Sequence, residues 1–152
     1  MSKEKKIITQ NRKARFNFEI IDKIEVGIVL NGSEVKAIRE NKVSLDNSYA
    51  VFKKNEIWIM NLHIDIKKFD VGFDISKPVR PRKILLKRNE IDKISLKIKN
   101  RGHTLIPLDL HYNLKGFIKI LLGVSKGRKK QDLREYKKQQ DWKRDKEGLK
   151  RL

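Results

Sequence analysis

Few side chains in this 152-residue sequence stand at spacings that perform catalysis. The three histidines, His63, His103 and His111, are far apart, and none has a carboxylate three or four residues away to orient it on a helix. There is no cysteine, which removes thiolate nucleophiles, disulfides and cysteine-ligated metal sites. No Gly-x-Ser-x-Gly elbow, phosphate-cradling Walker loop or His-Glu-x-x-His helix occurs. A metal-dependent nuclease assembled from scattered aspartates leaves no signature of spacing, so that class stays open. Otherwise no enzyme, cofactor or metal is expected.

The chemistry on offer is cationic. Lys and Arg number 38 against 19 Asp and Glu, giving a net charge of +19 and a pI near 10.2. A field of that sign favours polyanions, and nucleic acid is the common case. Arg12, Lys13 and Arg15 lie near the start, and Arg80, Arg82 and Lys83 lie mid-chain. Lys93, Lys97 and Arg101 share one stretch of helical pattern. The first group reads as a phosphate contact or a solvated arm, and the last more readily as a solvated outer face. A membrane surface is disfavoured, because no long amphipathic apolar stripe accompanies the charge. The longest apolar run, Phe117 to Val124, is interrupted by Lys119 and too short to span a bilayer. No apolar segment follows the charged Met1 to Lys6, so a secretory leader is not expected and a cytoplasmic location is.

The elements that position these groups follow from periodicity. Residues 1–15 read as a polar, basic arm, mobile until about Ile7. Phe16, Phe18 and Ile20 alternate with polar residues, and a second β run covers Val26 to Leu30. Asn31-Gly32 breaks that run, Ser33 is expected to cap a helix, and Glu34 to Glu40 supplies about two turns. Val35 and Ile38 then face a core, leaving Glu34, Lys36 and Arg39 for solvent or a partner. Val43 to Phe52 is strand-like with a bend at Asp46-Asn47, and Lys53-Lys54-Asn55 is a turn. Both faces of residues 56–62 are largely apolar, which suits a closed barrel, and Trp58 is placed in the core.

Residues 64–81 form a long loop with Pro78 and Pro81. Residues 88–100 are the clearest helix, with Asn89 as cap, Ile91, Ile94 and Ile98 on one face, and Gly102 ending it. Thr104 to Tyr112 is a strand in which Pro107 marks an edge or a bulge. A turn over Asn113 to Gly116 leads to a last strand from Phe117. About six strands and two helices predict a mainly β fold, a small antiparallel closed barrel of oligonucleotide-binding type, within residues 1–124. Residues 125–152 carry 12 Lys and Arg against 5 Asp and Glu, with apolar groups that form no stripe. Such a basic C-terminal tail is expected to be disordered or only partly helical alone and to become helical on a partner that neutralises it.

Beyond spacing, the order of residues resembles the small protein B family of SsrA-binding, or tmRNA-binding, proteins. The resemblance rests on Gly27-Ile28-Val29-Leu30 followed by Gly32-Ser33-Glu34-Val35-Lys36, and on Asn11-Arg12-Lys13-Ala14. It continues through Asp46-Asn47-Ser48-Tyr49, Asn61-Leu62-His63-Ile64, Arg80-Pro81-Arg82-Lys83-Ile84-Leu85-Leu86 and Gly102-His103-Thr104-Leu105-Ile106-Pro107-Leu108, in the family's order. It implies that the barrel binds the tRNA-like domain of tmRNA at its elbow. Protein and RNA together imitate a tRNA, and elongation factor Tu joins through the aminoacylated RNA. The tail enters the empty messenger channel of a stalled ribosome, at the decoding centre, for trans-translation.

The resemblance carries the tmRNA-facing role onto Asn11, Arg12 and Lys13, onto Glu34 and Lys36, and onto Lys97, Asn100, Arg101, Gly102 and His103. Glu34 would be an exposed carboxylate accepting from a base amino edge or a 2′-hydroxyl, or simply an acid at a helix N-terminus. The ribosome-facing role falls on Gly127, Arg128, Lys129, Gln131, Asp132 and Arg134. Here Gln131-Asp132-Leu133-Arg134 departs from the family's usual His-Asp-Lys-Arg, which leaves the roles of Gln131 and Leu133 open. The competing reading is a general single-strand or ribosomal-type barrel protein, which would need exposed aromatics for stacking.

Overall fold

The structure is a computed structural model that describes residues 6–66, 79–127, 134–135 and 137–144. It is mainly β with short helices, and its strands pair antiparallel. The chain runs β1 (Lys6–Gln10), α1 (Arg12–Asn17), β2 (Phe18–Ile28), α2 (Gly32–Arg39), β3 (Val43–Ser44), β4 (Tyr49–Lys53), β5 (Glu56–Met60) and β6 (His63–Ile64). It continues with β7 (Arg82–Leu85), α3 (Arg88–Arg101), β8 (Thr104–Tyr112) and β9 (Ile118–Gly127). Seven strands form one sheet in the order β1-β8-β4-β5-β7-β2-β9, and β8 also pairs with β9, so the sheet returns on itself. One edge of β8 meets β9 along its length; the other is shared, with Leu105 opposite Ala50 of β4 and residues 109–112 opposite β1.

The expected basic arm takes regular structure from Lys6 onward. Residues 6–10 are a paired strand, because β8 has an open edge there whose N–H and C=O groups need partners. Phe16 belongs to α1, and one continuous β2 replaces the two expected runs. The bend at 46–47 and the Lys54-Asn55 turn are as expected, with Lys54 and Asn55 at φ of 52° and 63° in a two-residue hairpin. Residues 67–78 of the expected long loop lie outside the described residues.

The main core joins Ile38 of α2 and Ile94 of α3 to Ile57, Ile59, Ile84, Leu110, Ile120 and Leu122 of the sheet. A second cluster, Ala14 with Ile106 and Leu108, seats α1 on the outer side of β8. Pro107 explains how one strand serves both. A register shift between Pro107 and Asp109 changes the alternation, and β8 is buried on both faces. Ile91 and Ile98 of α3 pack against the main core, and Gly102 ends the helix at φ 63° with its N–H on Ile98. The cap of α3 is Lys87 rather than Asn89, whose Oδ1 accepts from Glu90 one residue on.

Trp58 is not in the core. Ile57 and Ile59 take the inward positions of β5, so Trp58 points outward and is half-buried. Strand β9 crosses the expected boundary at 124. β9 continues to Gly127, with Ser125 buried and paired to Ile20 and Thr104, because residues 18–20 of β2 require those rungs. The described residues of the tail, 134–135 and 137–144, are helical. A proline-free sequence of Lys, Glu, Gln and Arg supplies the propensity, and Arg144 lies 3.9 Å from Asp141 at i,i+3.

Candidate nucleic-acid interface

The N-terminal cluster separates by burial. Asn11 is 3 % exposed: its Nδ2 donates to the Pro107 carbonyl at 3.0 Å and its Oδ1 accepts from Ala14 N–H at 3.2 Å. With Asn11 N–H on the Leu108 carbonyl, this residue caps α1 and ties it to the bulge of β8. Asn11 is thus enclosed by the fold, not displayed at the surface. Arg12 and Lys13, in the first turn of α1, are exposed, as is Arg15.

The larger correction concerns Glu34. It is fully buried, not exposed. Asn31, not Ser33, is the N-cap of α2, which rotates Glu34 to the third helical position and turns it inward. One oxygen, Oε1, accepts from the Asn31 N–H at 2.9 Å and from Arg80 at 2.5 Å; the other accepts from Arg82 Nε. Arg82 is itself fully buried and also donates to the carbonyls of Leu62, at 2.7 Å, and Arg80, at 3.2 Å. Burial pulls its guanidinium below the ordinary value, and the bond to Glu34 opposes that. A carboxylate so enclosed cannot meet a base edge directly.

The mid-chain basic run is therefore largely engaged. Arg82 points inward, Lys83 lies 3.1 Å from Glu56, and Arg80 keeps 28 % exposure while its Nε is buried with no hydrogen-bond partner among the described residues. On α2, Lys36 and Arg39 are exposed as expected.

At the far end of α3, Lys97 is exposed but bonded at 2.5 Å to Asp22 of β2. That bond, with the Lys23 N–H, holds the Asp22 carboxyl below its usual range. Asn100 and Arg101 lie in the last turn and Gly102 caps it. His103 follows, partly exposed, with a buried Nδ1 that has no hydrogen-bond partner among the described residues. Of the tail candidates, Gly127 ends β9 exposed and Arg134 is helical and exposed; Arg128, Lys129, Gln131 and Asp132 lie outside the described residues.

One constellation escaped the sequence reading. His111, fully buried on β8, stands between Asp109, 2.6 Å from Nδ1, and Glu25 of β2, 2.8 Å from Nε2. Helical spacing gives His111 no carboxylate partner. Strand period two was the signal, since Asp109 and His111 share a face at i,i+2.

Among the described residues no group of three or more His, Asp or Glu could hold a metal, and no helix is long and apolar enough to cross a membrane. An antiparallel sheet closed on itself, with cations displayed on α1 and α2, defines a basic β protein suited to a polyanion. A model of the SmpB protein family matches residues 8–151. An SsrA-binding protein of Rickettsia bellii is 46% identical over 149 residues, 98% of this chain and 97% of the relative. One of Treponema denticola is 44% identical over 140 residues, 92% and 90% of the two chains. A solved chain described as "tmRNA-SmpB: a journey to the center of the bacterial ribosome" matches with a TM-score of 0.65 and 37% identity, over 80% of this chain and 85% of its own. The chain belongs to the SmpB family.

Proposed function

We propose that this chain binds the tRNA-like domain of tmRNA and delivers it to stalled ribosomes for trans-translation. The observation that carries this reading is the 37% identical solved likeness, described with tmRNA and the bacterial ribosome, over 80% of the chain. The SsrA-binding names of relatives covering nearly all of the sequence support it. The chain acts as an adaptor in the cytoplasm, not as an enzyme, and its closed sheet is an oligonucleotide-binding type of barrel.

In this reading Arg12, Lys13 and Lys36 contact phosphates, which supplies affinity, while shape selects the partner. His103, partly exposed after the end of α3, offers a ring edge to a base or a 2′-hydroxyl. Asn100, Arg101 and Gly102 shape the adjoining loop, and Lys97 exchanges its bond to Asp22 for one to phosphate. Asn11 and Glu34 act from inside: one sets α1, the other holds Arg80. Gly127, Arg128, Lys129, Gln131, Asp132 and Arg134 lead the tail into the messenger channel at the decoding centre, and elongation factor Tu joins through the charged RNA.

The test is to purify the protein from its native cells without nuclease and sequence the RNA that accompanies it. A single dominant structured RNA is expected. A broad mixture of single-stranded fragments overturns the reading in favour of a general single-strand binder.

A further inference from the structure

The outer wall formed by β4, β5 and β7 carries more apolar surface than a solvent-facing sheet needs. Val51, Trp58 and Lys83 are direct cross-strand neighbours and share that face, as do Tyr49 and Met60. Ile57, Ile59 and Ala50 already fill the inward positions, so Trp58 and Met60 add nothing to the core. They floor a groove of about 490 Å³ with Val51, and Pro81 forms a side. Lys53 and Lys54, both exposed, line the same groove at the hairpin turn. Its one carboxylate, Glu56, is 3.1 Å from Lys83 and so locally neutralised.

A flat indole in a groove of that size, with cations at one end, matches one nucleotide: a base to stack and a phosphate to pair. An apolar peptide would use the floor but not the lysines.

The groove's place in the ring matters as much. The strands close in the order β8-β4-β5-β7-β2-β9, so β5 and β9 are three strands apart in either direction. α1 sits against β2 and β8, and α3 against β9, with Lys97 tied to Asp22 of β2. The Trp58 groove thus lies on the wall opposite α1 and the end of α3.

We infer that the groove takes an unpaired nucleotide of a second RNA segment, its base stacked on Trp58 and its phosphates on Lys53 and Lys54, while the first RNA is held on the opposite wall. The claim of a second segment rests on the tmRNA reading above; the stacking claim does not.

The test uses the full chain with Trp142→Phe, which leaves Trp58 as the only tryptophan reporter. It is titrated at low salt with a single-stranded hexaadenylate, with an RNA duplex, and with an aromatic hexapeptide. Saturable quenching by the hexaadenylate alone is expected. Trp58→Ala in the wild-type chain, followed by polarisation of labelled hexaadenylate, should lose about tenfold in affinity, with an unchanged melting temperature. Trp58→Phe should stay within about threefold, and Lys53→Glu with Lys54→Glu should lose several-fold and flatten the salt dependence. Equal affinity of Trp58→Ala, equal quenching by duplex, or quenching by the peptide alone overturns the stacking site. With the tRNA-like RNA bound to saturation, hexaadenylate affinity should be unchanged; mutual exclusion overturns the second segment. If the tRNA-like RNA does not bind at all, the tmRNA reading and with it the second segment fail, while the titrations alone still decide the stacking site.

Discussion

The body and the tail share a cationic surplus, but they place it in different surroundings. In the body, Arg82 and Arg80 meet Glu34, Lys83 meets Glu56, and Lys97 meets Asp22. In the described tail, Arg134, Lys137, Lys138, Lys143 and Arg144 are all exposed, beside a Trp142 that is 63% exposed. A buried ion pair costs desolvation and holds geometry, whereas exposed cations on a helix keep their field for an outside anion. The enclosed Arg82–Glu34 pair therefore holds the frame, whereas the described tail's cations, like the half-exposed Lys83 and Lys97, face solvent.

The sharpest way to break that contrast is Glu34→Ala. It leaves Arg82 charged and enclosed, so the chain should lose about 3–5 kcal/mol of stability, measured by urea unfolding. A loss under 1 kcal/mol would mean that the node is solvated and that Glu34 is a surface residue after all.

Next in size is His111→Ala, which leaves Asp109 buried without its ring partner. Hydrogen bonds to charged groups of this kind contribute about 1.5–3 kcal/mol, and a loss in that range is expected by the same measurement. Asp109→Asn should cost less, because the amide oxygen still accepts from Nδ1.

Truncation sharpens the boundary. A protein ending at Gly127 should melt within a few degrees of the full chain, since the described tail is exposed. Ending at Val124 should cost clearly more, because Ser125 is buried and residues 125–127 are rungs against β2. Equal melting of the two truncations would return the boundary to 124.

The smallest expected effect is at Asp22. Its folded value is depressed, so the bond to Lys97 stabilises above the ordinary carboxylate range and is lost as pH falls through the depressed value. Both groups are about half exposed, so Asp22→Asn should cost about 0.5 kcal/mol or less at neutral pH. It frees Lys97, and RNA affinity should hold or rise slightly in a filter-binding assay.

These particulars also mark what the sequence could reveal. Alternation and turn residues located most strands, the 54–55 hairpin, the bulge near Pro107 and the glycine stop of α3, all features written in local chemistry. The errors come from choices that only tertiary contacts decide. Asn31 and Ser33 are both good caps, and a shift of two residues turned Glu34 from solvent to core. Asn11 reads as a polar residue among cations until the bulge of β8 appears beside it. Trp58 and Ile57 sit on opposite faces of one strand, and nothing local says which face is inside. The residues expected at the RNA are therefore divided: Arg12, Lys13 and Lys36 stand at the surface, while Asn11 and Glu34 hold the frame beneath it.

The division between body and tail is tested most directly by single-turnover peptidyl transfer to charged tmRNA on stalled ribosomes. The protein used ends at Gly127, and its affinity for the tRNA-like RNA is measured separately. Affinity should remain within about threefold of the full chain, because the phosphate contacts lie on the body. Transfer should fall to background, because nothing enters the messenger channel. Transfer at the full rate by the 1–127 protein would contradict the account.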